Sequence, residues 1–382
     1  MSGIYIHIPF CKQACSYCDF YFVTRTGYRD EFVNRLVEEI YSYEGTTFSK
    51  EPVNSIYIGG GTPSLLAPAH VERILQALQD TFQLDPREIT LEMNPDDVTR
   101  EYLGRLLDLG ITRSSMGVQT FKPELLTFMN RAHTREHALN CLELLRGTGF
   151  RTFTADLIYG NPGQSLQDLE KDLDTLISFD PPHVSAYSLT IEPQTRLGKQ
   201  VELGRIDPPK DDKVADHYDL VVEKLDAAGI EQYEVSNYSK PGHEAVHNSN
   251  YWRHENYLGL GPAAHSFWWD ENKNKTAMRW NNKSDLKAYL NEDISEIRDE
   301  QEQLNQLQLA EERLMLGLRT REGVTKQELD KRYDYKLNER QLNYILQKQQ
   351  EGTFDFDTKT LRLTPQGRKI ADSILLDLVT MH

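Results

Sequence analysis

The stretch that decides the fold stands near the N-terminus, where residues 4–20 read IYIHIPFCKQACSYCDF. Isoleucine occupies every second position at the start of this stretch, which is the period of a β-strand, and Pro9 ends the run. The loop that follows carries three of the four cysteines of the chain, at Cys11, Cys15 and Cys18. This placement predicts a metal cluster at the end of a strand.

The composition limits the kinds of partner that the protein binds. The chain has 382 residues with 59 acidic and 43 basic side chains, and its formal net charge is -16. Nucleic-acid affinity depends largely on basic side chains that replace counterions, so nucleic acid is not an expected partner. We find neither a basic region followed by a long apolar run nor eighteen consecutive apolar residues, and therefore predict no transmembrane segment. We predict a cytoplasmic protein and leave open peripheral contact with the inner face of the membrane.

Strand patterns alternate with helical patterns through about the first 190 residues, as in βα units. Six strands are predicted, over Gly3–Ile8, Asn54–Ile58, Glu88–Met93, Arg113–Val118, Phe150–Ile158 and His183–Leu189. Such units predict an α/β fold in which a parallel sheet with right-handed crossovers closes, fully or partly, into a barrel. Polar residues and glycines collect after these strands, which is where barrels of this kind build their sites.

The rest of the chain predicts two further regions. Residues 1–232 form the predicted barrel, and residues 233–300 a connecting or cofactor-covering segment that contains all four tryptophans. Residues 301–382 show the order helix, helix, helix, hairpin, helix, which is typical of a winged-helix-like α+β domain. Acidic and basic side chains balance there at thirteen each, so we expect a docking or lid domain instead of a DNA-binding one.

The number of cysteines favours an iron-sulfur cluster over zinc. A structural zinc site normally has four protein ligands, with cysteine pairs at separate places in the chain, whereas three thiols are clustered here. Cys141 falls among leucines on a predicted helix and is expected to be a buried small hydrophobe, and His7 precedes the loop on a strand. A cubane held by three thiolates leaves one iron open for a small molecule.

These motifs resemble a known family over essentially the whole chain. The spacing C-x3-C-x2-C with Tyr17 before the last cysteine resembles the radical S-adenosylmethionine (SAM) superfamily, and Tyr5 with the run HIPFC resembles the oxygen-independent coproporphyrinogen oxidase family within it. Residues 18–20, CDF, and residues 247–252, HNSNYW, are similar to the haem chaperone (HemW-type) branch. The oxidase branch carries a further cysteine where this chain has Phe20, which puts oxidase activity in doubt.

The resemblance implies a partial (β/α)6 TIM-like barrel of the radical SAM type that binds a [4Fe-4S] cluster through the three clustered cysteines. It also implies S-adenosylmethionine bound at the open iron, and it leaves open whether the protein binds one or two molecules of this cofactor. A glycine-rich turn at residues 59–63, whose backbone can approach a ligand closely, belongs to this implied site. The positions that match the family's cofactor contacts are Tyr5, Tyr17, Gly60, Gly61, Thr62, Glu92, Gln119, Arg131 and Asp156.

The HNSNYW motif is the predicted haem site. Histidine is a common axial ligand of haem iron, and aromatic side chains can form a wall for a porphyrin face. The implied haem contacts are His247, Asn248, Tyr251 and Trp252. His247 is the first candidate for the iron ligand, and three neighbouring histidines compete with it, at His243, His254 and His265.

The leading hypothesis is a haem chaperone that takes up haem tightly or covalently and delivers it to apo-haemoproteins, such as membrane-associated respiratory enzymes. Whether S-adenosylmethionine is cleaved in that function stays open. The alternative is an enzyme, an oxygen-independent coproporphyrinogen III dehydrogenase that decarboxylates two propionates by radical hydrogen abstraction. A radical enzyme acting on RNA is disfavoured by the acidic balance and by the lack of a basic aromatic patch.

Overall fold

The chain folds around one twelve-stranded sheet in the computed structural model, which describes residues 2–270 and 276–381. Six neighbouring strands of this sheet are parallel and pair in chain order. They are β1 Ser2–Ile8, β2 Val53–Gly60, β3 Leu84–Met93, β4 Arg113–Gln119, β5 Thr152–Tyr159 and β6 His183–Ser188. The predicted six-unit α/β barrel is therefore confirmed, with each strand near its expected position.

Helices cross over between the parallel strands and cover the outer face of the sheet. They are α1 Arg29–Tyr41, α2 Pro68–Thr81, α3 Arg100–Asp108, α4 Pro123–Phe128, α5 Arg135–Thr148 and α6 Leu166–Ile177, followed after β6 by α7 Arg196–Glu202 and α8 Asp211–Ala227. In α1, Phe32, Leu36 and Ile40 recur at helical spacing and are fully buried. They pack in one core with the isoleucines of β1 and β2. The amphipathic faces thus hold the helices on the sheet.

The segment that the sequence pattern indicates as a connection forms regular structure on both sides of the barrel strands. It contains β7 Glu231–Gln232, β8 Asn237–Ser239, α9 Val246–Trp252, β9 Asn256–Leu260, β10 His265–Asp270, β11 Thr276–Asn282, α10 Leu286–Asn291 and β12 Arg298–Leu304. Strand β9 pairs in parallel with β1, and β10 to β12 continue the sheet as antiparallel strands. β12 crosses the expected domain boundary at residue 300, and the three domain ranges stay a prediction.

The inner face of the parallel strands is unusually polar and is closed at one end by α9. Alternate residues of a strand point to the same face, which places Ser55 and Tyr57 of β2 beside Glu88 and Glu92 of β3. Helix α9 packs against β1, β2, β3 and β9. Its His247 ring stacks on the Tyr57 ring at a centroid distance of 5.1 Å. The HNSNYW motif therefore lies inside the barrel region and not on a covering loop.

A buried ion pair anchors this helix. The Glu88 carboxylate accepts hydrogen bonds from Arg113 Nε (2.8 Å), from the backbone N–H of Val246 (3.0 Å) and from that of His247 (3.1 Å). The side chains of Glu88 and Arg113 are 5% and 3% exposed. The first turn of a helix has backbone N–H groups without helical partners, and a carboxylate satisfies two of them here.

The C-terminal region has its own small sheet and apolar core. Its helices are α11 Gln306–Gly317, α12 Lys326–Tyr333, α13 Glu339–Gln350, α14 Pro365–Lys369 and α15 Ala371–Thr380, and its strands are β13 Val324–Thr325, β14 Phe354–Phe356 and β15 Thr360–Leu363. Leu314 of α11 and Ile345 of α13 belong to the same buried cluster as Phe267 of β10. The helix, hairpin, helix order agrees with the prediction. No helix within the described residues is long and apolar enough to span a membrane.

Candidate functional site

The cysteine loop follows β1 and lines a cavity of about 490 Å³ that reaches into the barrel. Backbone hydrogen bonds hold the loop, from Cys11 N to Val23 O (3.0 Å) and from Ser16 N to Met129 O (2.9 Å). Three unpaired, partly exposed thiols line this cavity, those of Cys11, Cys15 and Cys18. Cys141 is buried on α5 and contacts Met116, as predicted for a small core residue.

The donor set in this cavity fits an iron-sulfur cluster. Burial raises the pKa of the Cys11 thiol and raises that of Cys18 to about 12, and binding to a metal is what would deprotonate such thiols. No group of three or more His, Cys, Asp or Glu side chains in the described parts of the chain is arranged to hold a single metal ion. Three thiols around one cavity suit a cubane, in which each thiolate binds a different iron and the fourth iron stays open.

The glycine turn after β2 packs directly against the cysteine loop. Gly61 N donates to Ile8 O (2.7 Å), and a Cβ atom at Gly61 would lie 2.7 Å from Phe10 O and 3.1 Å from Cys11 Sγ. Thr62 Oγ1 donates a hydrogen bond to Cys11 Sγ (3.6 Å). Position 61 therefore has no room for a side chain, and its glycine keeps turn and loop in contact.

Two carboxyl groups, on the C-terminal halves of β3 and β5, line the same cavity. Glu92 accepts hydrogen bonds from Tyr57 OH (2.6 Å) and from Gly60 N (3.1 Å), and burial raises its pKa. Burial also raises the pKa of Asp156 to about 7, and the nearby Glu92 carboxylate adds to this shift, while a hydrogen bond with Ser185 opposes it. Such carboxyl groups can accept hydrogen bonds from the amine and hydroxyl groups of a ligand.

Arg131 connects the cysteine loop to the ends of β3 and β4. Its Nη1 lies 3.5 Å from Cys15 Sγ and 3.4 Å from Tyr17 OH, and its Nη2 donates to Asn94 Oδ1 (2.7 Å) and Gly117 O (3.0 Å). Its buried Nε has no hydrogen-bond partner among the residues described. Arg131 thus has a donor left for a bound ligand.

Gln119 is held in an unusual backbone conformation at the end of β4. It has a φ of 66°, in the left-handed region that non-glycine residues seldom adopt, and its side chain lies beside Arg131. A Cβ atom at Gly117 would lie 2.9 Å from Gln119 Nε2 and 3.0 Å from Arg131 Nη2. The glycine inside the strand therefore makes space for both polar side chains. Backbone strain of this kind occurs more often at functional sites than elsewhere.

The structure brings most of the predicted cofactor contacts together. The residues that line the 490 Å³ cavity with the three cysteines are Tyr17, Gly60, Gly61, Thr62, Glu92, Gln119, Arg131 and Asp156. Tyr5 does not line it, because its hydroxyl is bonded to His7 Nδ1 (3.0 Å) and faces a neighbouring cavity. Sequence reasoning missed Tyr57, Asn94 and Gly117. The strand-interior glycine and the asparagine directly after β3 were signals that could have identified two of them.

A second cavity of about 1200 Å³ adjoins the first. Side chains shared by both walls include Phe20, Tyr57, Glu92, Tyr187 and Asn248. The far wall is formed by Met315, Leu316 and Arg319 at the end of α11 and just after it. Phe20, which stands where the oxidase branch carries a cysteine, is 70% exposed at the junction of the two cavities.

The predicted haem contacts divide between two places. His247, Asn248 and Tyr251 line the 1200 Å³ cavity. Trp252 lies instead in a separate cleft of about 410 Å³, next to Arg253 and Arg313. In an α-helix each residue is turned by about 100° from the one before it, so Trp252 cannot share the face of Tyr251. The aromatic wall predicted from both residues therefore has only Tyr251 in this cavity.

The candidate histidines also differ in their surroundings. His247 is 1% exposed and hydrogen-bonded through both ring nitrogens, and burial lowers its pKa to about 4. His243 is bonded to Thr152 Oγ1 (3.1 Å) and lines neither of the two cavities. His254 is 4% exposed and stacks on Phe267, whereas His265 is exposed on the wall of the larger cavity.

Comparison with known proteins agrees with this architecture. Residues 5–176 match the Radical SAM superfamily, and residues 304–370 match the HemN C-terminal domain. The solved structure of coproporphyrinogen III oxidase (HemN) from Escherichia coli superposes on the whole chain and on 90% of its own length with a TM-score of 0.82. At 22% sequence identity, this likeness concerns the fold alone.

Several relatives found by sequence have a higher sequence identity to this chain than the HemN structure has. Proteins named "Heme chaperone HemW" are 34% identical in Bacillus subtilis and 33% identical in Lactococcus lactis, and these matches span at least 96% of each chain. The protein of that name from Escherichia coli is 39% identical over 69% of each chain. The chain therefore belongs to the radical SAM superfamily and, within the coproporphyrinogen oxidase family, to the HemW branch.

Proposed function

We propose that this protein is a haem chaperone, which binds haem beside a [4Fe-4S] cluster with S-adenosylmethionine and delivers it to apo-haemoproteins such as respiratory enzymes. The observation that carries the proposal is the 1200 Å³ cavity that adjoins the thiol-lined one. Its volume exceeds the roughly 300–1,000 Å³ of pockets for drug-sized ligands. A macrocycle as large as haem therefore has room to enter.

The wall chemistry of the larger cavity supports the same ligand. Aromatic side chains suited to a porphyrin face include Tyr251, Tyr257 and Phe267. Arg279 and Arg319 also line the cavity, where they form ion pairs with Glu312 and Asp372. Guanidinium groups pair well with carboxylates such as the haem propionates, which would share these two side chains with their present partners. A largely apolar wall that also carries charged groups suits an amphipathic macrocycle.

The smaller cavity supports the cofactor part of the proposal. Cys11, Cys15 and Cys18 would hold the cluster, while Arg131 and Glu92 would orient S-adenosylmethionine near its open iron. When reduced, such a cluster supplies the electron for reductive cleavage of that cofactor. The side chains that separate the two cavities, among them Phe20 and Tyr57, would keep the cluster and the haem apart but close together.

Haem titration of the cluster-reconstituted protein under anaerobic conditions tests this function. We expect a shifted Soret band that saturates near one haem per chain, followed by transfer of the haem to an added apo-haemoprotein. Trp252→Phe serves as a control that should bind normally, because Trp252 lies outside the haem cavity. A protein with an intact cluster that produces no Soret change would overturn the proposal.

The same preparation distinguishes the enzymatic alternative. The fold shared with coproporphyrinogen III oxidase is the observation that favours this alternative. If the protein were an oxidase of that kind, it would convert coproporphyrinogen to protoporphyrinogen with S-adenosylmethionine and a reductant. Under the chaperone proposal we expect no such product, even when the cluster is fully assembled.

A further inference from the structure

We propose that His265, and not His247, is the protein ligand of the haem iron. This inference rests on the proposed haem-binding function and identifies the side chain that serves it. The larger cavity has four histidines on its wall, at His7, His247, His254 and His265. An iron ligand needs a ring nitrogen with a free lone pair that faces the cavity, and this requirement separates the four.

Both ring nitrogens of His247 already have partners. Nδ1 is hydrogen-bonded to Ser55 Oγ (3.0 Å), and Nε2 is hydrogen-bonded to Tyr251 OH (2.7 Å). The ring is stacked on Tyr57, and the carboxylate of Glu88 holds the backbone of His247. Binding of iron would break one of these bonds and leave a buried polar group without a partner, which is unfavourable. These contacts describe a residue that supports the structure of α9.

His7 and His254 are also engaged. His7 Nε2 donates to Tyr21 O (2.8 Å), so its Nδ1 is the acceptor for Tyr5 OH (3.0 Å). His254 Nδ1 is hydrogen-bonded to Tyr333 OH (3.1 Å), and its Nε2 lies 3.4 Å from Glu312 Oε2. Both residues are only 4% exposed. His254 Nε2 makes no hydrogen bond within the described residues, but it is buried beside the Glu312 carboxylate and is not open to a ligand in the cavity.

His265 differs from these residues in its exposure to the cavity and in the hydrogen bonding of its ring. Its side chain is exposed on the cavity wall, and within residues 2–270 and 276–381 its ring has no hydrogen-bond partner. Its backbone is nevertheless fixed, because β10 approaches β9 so closely that a Cβ at Gly259 would lie 2.1 Å from His265 O. A hydrogen bond from Gly259 N to Ser266 Oγ (2.9 Å) holds the same junction. The free ring is therefore carried on a rigid strand end.

The surroundings of His265 suit the ring plane of a porphyrin. Phe267 lies two residues further along β10, on the same face of the sheet, and stacks on Tyr257 of β9 at 6.2 Å. Met315 and Leu316 form an apolar wall on the C-terminal side of the cavity. A macrocycle between these walls would lie against aromatic surface while the His265 ring bound its iron.

The experiment compares three histidine variants by absorption and resonance Raman spectroscopy of haem titrated into the full-length protein. His265→Ala is expected to lose the histidine-ligated spectrum and to weaken haem binding by more than about tenfold, since even outer partners of metal ligands contribute about 10–100-fold to affinity. Added imidazole should restore the spectrum. His247→Gln, which keeps polar groups near Ser55 and Tyr251, and the control His243→Gln should retain it. Circular dichroism and iron content show whether each variant is folded.

The outcomes separate this inference from the function on which it rests. If the unsubstituted protein binds haem and His265→Ala keeps the same histidine-ligated spectrum, the assignment of His265 is wrong and the chaperone proposal stands. Loss of the spectrum in folded His247→Gln, with His265→Ala unchanged, would assign the ligand to His247. If the unsubstituted protein with an intact cluster binds no haem, both proposals fail.

Discussion

Replacement of Glu88 by alanine is expected to destabilise the region around α9 more than any single surface substitution. Glu88 is buried in the barrel, where its carboxylate pairs with Arg113 and accepts the N–H groups of Val246 and His247. The substitution leaves the Arg113 guanidinium buried without its counter-charge, although Arg113 keeps hydrogen bonds to Thr154 Oγ1 (3.0 Å) and His243 O (2.7 Å). It also removes the acceptor for the first turn of α9.

The expected magnitude follows from these three lost hydrogen bonds. A hydrogen bond to a charged group contributes about 1.5–3 kcal/mol, but bonds that share one acceptor group are not additive. Removing one partner of a buried ion pair costs about 3–5 kcal/mol, and we take this as the expected loss in free energy of unfolding. Glu88→Gln keeps an acceptor oxygen and should lose less.

Urea unfolding followed by tryptophan fluorescence measures this effect. All four tryptophans lie between residues 252 and 280, so the signal reports on α9 and on the strands beside it. Glu322→Ala provides a matched control, because Glu322 forms an exposed ion pair with Arg253. The Glu322 side chain is 65% exposed and the Arg253 side chain 50%. Exposed pairs contribute about 0–1 kcal/mol, so this variant should unfold almost as the parent does.

Equal losses in the Glu88 and Glu322 variants would contradict this prediction, because burial would then have no effect on the ion pair. A loss below about 1 kcal/mol for Glu88→Ala would mean that the anchor of α9 lies elsewhere. Haem titration gives an independent readout. Because α9 forms part of the haem cavity, Glu88→Ala should weaken haem binding, whereas Glu322→Ala should not.

Three further predictions concern the smaller cavity. Gly61→Ala places a Cβ 2.7 Å from Phe10 O and should therefore lower the iron content after cluster reconstitution. Gly104→Ala has open space around its Cβ and should not lower it. Equal iron content in the two variants would contradict the predicted clash at position 61. Cys15→Ser should abolish the visible absorbance of the reconstituted cluster and Cys141→Ser should leave it intact, and loss in both variants would mean that Cys141 also matters for assembly. Burial raises the pKa of Asp156 from 3.8 to about 7. The folded protein therefore binds the proton of this carboxyl group more tightly than the unfolded chain does. As a result, the free energy of unfolding should fall as the pH rises from about 4 to about 7. Asp156→Asn should reduce that fall in urea unfolding at successive pH values, and parallel profiles would show that Asp156 does not cause it.

The six parallel strands and the helices between them were predictable, because each is indicated by a hydrophobic pattern within its own short stretch of sequence. The alternating isoleucines of β1 are typical of a strand, and the apolar stripe of α1 is typical of an amphipathic helix. The extension of the sheet by β9 to β12 was not predictable in this way, since buried polar residues there have distant partners. Asn282, for example, donates to Glu39 Oε1 (2.7 Å) and to Gly261 O (2.9 Å), and neither residue is near it in the sequence.

The candidate site shows the same limit. Cysteine spacing and residues at strand ends identify the smaller cavity, because the ends of neighbouring parallel strands meet at one edge. The larger cavity depends on contacts between distant segments. The motif at residues 247–252 does not reveal that Ser55 and Tyr251 occupy the ring nitrogens of His247, or that Trp252 turns away. The motif therefore indicates the region of the haem cavity, while three-dimensional packing determines which of its side chains can contact a ligand.

The position of β1 has a consequence for biosynthesis. This strand lies between β2 and β9, so one of its edges has no partner until Asn256–Leu260 has left the ribosome. At roughly 5–20 residues per second, the nascent barrel spends on the order of ten seconds or more with an open edge that is rich in isoleucine. Exposed apolar strand edges readily pair with other chains. We therefore expect chains truncated before β9 to aggregate.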